Sequence, residues 1–123
     1  MAAVVGDYIQ RTWNRPWSWG SVDCTMWVAD WCLEHWGIDP AVRWRGVYDS
    51  EDGAAAIIGS GLFEFVSRDA GIPARSDARE GDVAVIEIAG HQMAAIRFGE
   101  KWAFRKPSGV GIVRAEPLMI WGY

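Results

Sequence analysis

Cys24, Cys32, His35 and His91 are the only thiols and imidazoles in this 123-residue chain, so nucleophilic and acid–base chemistry at neutral pH falls first to them. Cys24 follows Asp23 at the end of Pro16-Trp17-Ser18-Trp19-Gly20-Ser21-Val22, where the pattern of a helix begins. The first backbone N–H groups of a helix have no internal partner and the macrodipole is positive there, so a thiolate is favoured at that position. The competing reading is packing, because buried cysteine usually acts as a small hydrophobe. Cys32, in mid-helix without the dipole's help, reads as a packing residue. A cysteine nucleophile needs a base, normally a histidine delivered by the fold. His35 is eleven residues further along the same helix, roughly 16 Å away by helical rise, and reads as a packed residue near the helix end. His91, after Gly90 and at the start of a strand, is the candidate base, and a solvated hairpin residue is its alternative reading.

Other chemistries find less support. Cys32 and His35 have the i, i+3 spacing of a ligand pair, but no second pair follows, and no metal or other cofactor is expected. Gly109-Val110-Gly111 lacks the rest of a dinucleotide fingerprint, and no serine sits in a nucleophile elbow. With 16 acidic against 12 basic residues the formal charge is -4, which argues against a nucleic-acid partner bound through phosphate neutralisation. No apolar run approaches the roughly 18 residues of a membrane span. The start Met1-Ala2-Ala3-Val4-Val5-Gly6-Asp7 lacks the basic region and apolar core of a signal peptide, so synthesis in the cytoplasm is the expectation. Nine tryptophans are the compositional anomaly. They fill core and rim, or line a cleft where indoles stack on sugar rings or peptide groups.

These residues need elements to hold them. From Cys24 the chain predicts a mostly buried helix, capped by Asp23 or Ser21 and stopped by Gly37. Cys24, Trp27, Val28, Trp31 and His35 share one stripe, Met26, Ala29 and Leu33 lie opposite, and Asp30 and Glu34 leave a narrow polar strip. Eight residues separate the two cysteines, about 12 Å of helix axis, so free thiols are expected. Before it, residues 2 to 13 predict a helix that ends at Asn14-Arg15-Pro16. After it come a short helical turn from Asp39, a helix over Glu51 to Ile58 capped by Ser50, and another from Leu62 to Ala70. The second half changes period: strands are predicted over Asp82 to Ile88, Gln92 to Phe98, Lys101 to Arg105, Gly111 to Arg114 and Leu118 to Trp121. Helices followed by an antiparallel meander make a single α+β domain with helices on one face of the sheet.

Trp17-Ser18-Trp19-Gly20, then Asp23-Cys24 and a buried helix, then Gly81-Asp82-Val83 opening a strand, resemble the NlpC-type cysteine peptidases. These are small papain-like enzymes that cut peptidoglycan stem peptides. The chain looks closest to a phage- and prophage-associated group related to them and met among tail genes. The resemblance spans roughly Trp13 to Phe104 and implies a papain-like fold, with the buried helix packed on an antiparallel meander or small barrel. It further implies Cys24 as nucleophile, His91 as general base, Trp17, Trp19 and Asp23 at the substrate, and cell-wall peptide and other tail proteins as partners in a phage particle. Thr25-Met26 replace the family's Ser-Gly after the nucleophile. Met93 stands where the family has its base, with His91 two residues earlier, about 6.6 Å along a regular strand. Arg105 stands at the third polar position and cannot accept the imidazole proton. Two readings follow: a tail-associated peptidase, or the same fold without the chemistry, serving as a structural or cell-wall-binding part of a tail tip.

Overall fold

The computed structural model describes residues 4–58, 66 and 71–123. Among the described residues three helices precede the sheet: α1 over Val5–Thr12, α2 over Cys24–Trp36 and α3 over Glu51–Ile58. Six strands follow: β1 (Ala74–Arg75), β2 (Val83–Ile88), β3 (His91–Phe98), β4 (Lys101–Lys106), β5 (Gly109–Val113) and β6 (Met119–Trp121). They form one antiparallel sheet in the order β1-β6-β2-β3-β4-β5. The meander expected from the sequence covers β2 to β5. The sheet as a whole is open rather than a barrel, because β6 returns to the free side of β2 and carries β1 on its outer side.

The central helix has the bounds its caps dictate. Asp23 is extended and its side chain accepts from the N–H groups of Thr25 and Met26, while Gly37, at φ 75°, turns the chain out and donates to the Leu33 carbonyl. Met26, Trp27, Val28, Ala29, Trp31 and Cys32 are buried, whereas Leu33 is exposed despite its apolar side chain. Helix α2 packs on β3 and β4, and α1 packs on β3. Buried hydrogen bonds tie the two helices together: the Tyr8 hydroxyl donates to the Trp27 carbonyl at 2.6 Å, and the Trp27 indole donates to Thr12 Oγ1 at 2.7 Å.

Alternation along the strands sorts the sheet into two faces. Val83, Val85, Ala94, Ile96 and Ala103 join Val5, Tyr8, Trp27 and Trp31 on the helix side. Ala84, Ile86, Ala95 and Trp102 form a second cluster on the far side, covered by Ala78 and Ala115. Four consecutive buried residues, Val83 to Ile86, thus belong to a strand covered on both faces.

Some expectations change. The first helix begins at Val5 within the described residues, and the segment from Pro40 to Val47 is a run of turns in which the Asp39 carboxylate accepts from the Ala41 N–H at 3.0 Å. Ser50 caps α3 as expected, its hydroxyl accepting from the Gly53 N–H. The helix expected from Leu62 to Ala70 lies outside the described residues apart from Val66. No helix among the described residues is long and apolar enough to cross a membrane.

Candidate functional site

The segment before α2 is built to deliver Cys24. Ser18 and Val22 bridge to each other through two backbone hydrogen bonds, which fold Trp17 to Val22 into a tight loop. Gly20 is required there: at φ +87° its missing Cβ would lie 2.1 Å from the Tyr48 carbonyl oxygen. Asp23 fixes the loop to the helix. One carboxylate oxygen takes the Thr25 and Met26 N–H groups at 3.0 and 2.8 Å. The other takes the Gly20 N–H at 2.9 Å and the Tyr48 hydroxyl at 2.6 Å.

The resemblance implies Asp23 at the substrate; in the structure its carboxylate is turned into the protein. It is 1% exposed, and both oxygens are engaged within the protein. Tyr48, just past the turn segment and 25 residues away, is its partner across the fold, and no sequence pattern near Cys24 announces it. Trp17 and Trp19 are half-buried and meet edge to face at 5.2 Å between ring centroids, which leaves them free to wall a surface in front of the helix start.

Cys24 itself is half-buried, with its sulfur 3.9 Å from Thr25 Oγ1. Its pKa is pushed above the ordinary thiol value, first by burial and then by the Asp23 carboxylate next to it. This reverses the expectation from the helix dipole. The carboxylate that caps α2 consumes the N–H groups that would have stabilised a thiolate and adds a negative charge at the same place. Cys32 is buried, its thiol pushed up to about 12 chiefly by burial, in keeping with packing. Both cysteines are free.

The structure does not bring His91 to Cys24. Across the β2–β3 hairpin His91 pairs with Ile88, and Met93 pairs with Ile86. Directly paired residues share a sheet face. Ile86 lies in the far-side cluster, and Ile88 and Met93 pack against it, so His91 and Met93 both belong to the face turned away from α2. The pairing from Val83 to Ile88 is continuous, with no bulge to re-aim His91. On the helix side that alternation presents Gln92 and Ala94. Ala94 lines, with Thr25, Val28 and Tyr48, an apolar cavity of about 80 Å³ beside the first turns of α2.

Arg105 is on the helix side. Its cross-strand partner Val110 packs against the helix-side cluster, and Arg105 shares its strand face with Ala103 two residues earlier, which lies in that cluster. The guanidinium is 1% exposed, donates to the Arg15 carbonyl through Nη2, and lies 5.8 Å from the Trp17 ring centroid. Burial and the neighbouring Arg15 charge lower its pKa. The sequence marks position 105 as the third polar position but gives no sign that a charged side chain is buried there.

Among the described residues no cluster of three or more His, Cys, Asp or Glu side chains could hold a metal ion. The fold and site define a small α+β domain with a central cysteine-bearing helix on an antiparallel sheet. Residues 2–122 match the model of the family described as Domain of unknown function (DUF6950), and the chain belongs to that family. No curated protein and no solved structure matches it.

Proposed function

We propose that this chain is an NlpC-like, papain-type domain that has lost its hydrolytic chemistry and serves as a cell-wall-binding component of a phage or prophage tail. The resemblance through Trp17 to Gly20, Asp23-Cys24 and Gly81-Asp82 supplies the tail and peptidoglycan context. The observation that carries the loss of chemistry is the pleat of β3. It presents Ala94 to the helix side, with Arg105 on the adjoining strand, and turns His91 and Met93 to the far face. A thiol with a raised pKa and no imidazole partner among the described residues is a poor nucleophile at neutral pH. Trp17 and Trp19 remain as aromatic walls for a peptide or sugar.

The peptidase reading keeps one observation in its favour, a half-buried thiol on the first residue of a helix whose cap is intact. Incubation with purified peptidoglycan separates the two. The protein is expected to co-sediment with the polymer, release no peptide, and bind equally well as Cys24→Ser. Peptide release that Cys24→Ser abolishes would establish the peptidase instead, and absence of co-sedimentation would remove the wall-binding role.

A further inference from the structure

Behind the Trp17 wall lies a cation that has no ion-pair partner among the described residues. Arg105 is 1% exposed, and among the described residues Nε and Nη1 have no hydrogen-bond partner. Among the described residues its hydrogen-bond acceptor is the Arg15 carbonyl, and its guanidinium also lies over the ring of Trp17. A buried guanidinium with idle donors is costly, because neither a backbone carbonyl nor an indole ring replaces the water it has left. The Arg15 side chain adds a second positive charge nearby, only loosely engaged at 3.8 Å with Asp30. Groups of this kind are completed by an oxyanion.

Resting on the reading that this surface holds cell-wall peptide, we propose that Arg105 is its carboxylate-binding residue, with Trp17 as a cover that swings aside to admit the ligand. The idle donors sit on a full positive charge, which a carboxylate answers with charge and acceptor oxygens together, whereas an amide offers one acceptor oxygen, no charge and two donors of its own. Trp17 is suited to move. Among the described residues its indole N–H makes no hydrogen bond, and the ring is held by its edge contact with Trp19 and its stacking over Arg105. The rest of the site stays in place, since Gly20 and Asp23 anchor the loop on the other side of Trp19. The ligand class is thus a peptide with a free carboxylate, such as a terminal D-amino acid, rather than an uncharged sugar.

The probes are N-acetyl-D-alanyl-D-alanine and its C-terminal carboxamide, titrated into ¹⁵N-labelled protein while the indole N–H resonances are followed. The resonance missing from Trp17→Phe identifies Trp17. The acid is expected to shift that resonance saturably and to bind at least tenfold more tightly than the amide. Arg105→Gln should erase the preference. Trp17→Ala, which removes the cover and keeps the cation, should bind the acid as well as wild type or better. Equal binding of acid and amide by wild-type protein overturns the proposal even where Arg105→Gln fails to fold, and so does failure to bind either. Co-sedimentation with peptidoglycan but no preference for the acid removes the role of Arg105 and leaves the wall-binding reading. A preference for the acid without co-sedimentation does the reverse.

Discussion

Asp23 accepts four hydrogen bonds from a position almost closed to solvent, and the donors come from three parts of the site: the loop at Gly20, the helix start at Thr25 and Met26, and Tyr48 just past the turn segment. Its replacement by alanine removes an N-cap, typically about 1 kcal/mol. It also leaves the Gly20 N–H and Tyr48 hydroxyl without an acceptor, about 1–3 kcal/mol more. Asp23→Ala is therefore expected to destabilise by roughly 2–4 kcal/mol in urea unfolding. Asp23→Asn, which keeps the acceptor for the helix N–H groups but not the one for the Gly20 N–H, should cost less by the worth of the cap, about 1 kcal/mol. Equal losses for the two variants would mean that the cap carries little of the effect. Burial is the first reason that this thiol at a helix start is not activated, and the same carboxylate adds to it by placing its charge where a thiolate would form.

At the scale of elements, α2 is positioned by both of its ends. Asp23 fixes the first turn, and at the last turn His35 stacks on Trp31 at 4.6 Å while both rings press on Gly81, whose φ of +86° leaves no room for a side chain. The Trp31 indole also donates to the Gly81 carbonyl at 2.8 Å. Burial lowers the His35 pKa, only partly offset by Asp82, and its Nδ1 has no partner. A depressed histidine pKa means that the unfolded chain takes up its proton first, near pH 6.5, so stability falls as pH drops below that value and is unaffected above it. His35→Phe keeps the stacking and removes the proton. Its melting temperature should fall less than that of wild type between pH 7.5 and 5, and an unchanged pH dependence would show that His35 is not the responsible group.

The ends of α2 were legible because Asp23 and Gly37 are cap residues with one physical role each. The strand starts were legible because Gly81, Gly90 and Gly99 punctuate apolar runs, all with positive φ. The facing of β3 was not legible. Met93, Ala94, Ala95 and Ile96 are all apolar, so the sequence carries no alternation from which to read the face, and a one-residue difference moves a candidate base across the sheet. The two-residue β1, the return of β6 to β2 and the Tyr48 contact with Asp23 depend on pairings remote in sequence, which local patterns do not encode.

The whole molecule is a sheet with two unlike sides. Helices cover one side, where Arg105 lies under Trp17; on the other, loops around Ala78 and Ala115 cover Trp102, with Arg97 stacked 5.1 Å from its ring. His91 belongs to that second side, and the account of the protein as a binding domain rests on the separation of His91 from Cys24. The most direct test is the alkylation rate of Cys24 against pH in a Cys32→Ala background, with and without His91→Ala. The account predicts a rate that titrates no lower than the ordinary thiol pKa of about 8.5 and is indifferent to His91. A reaction that titrates well below that value and loses the shift with His91→Ala would contradict it and restore a thiolate and imidazolium pair.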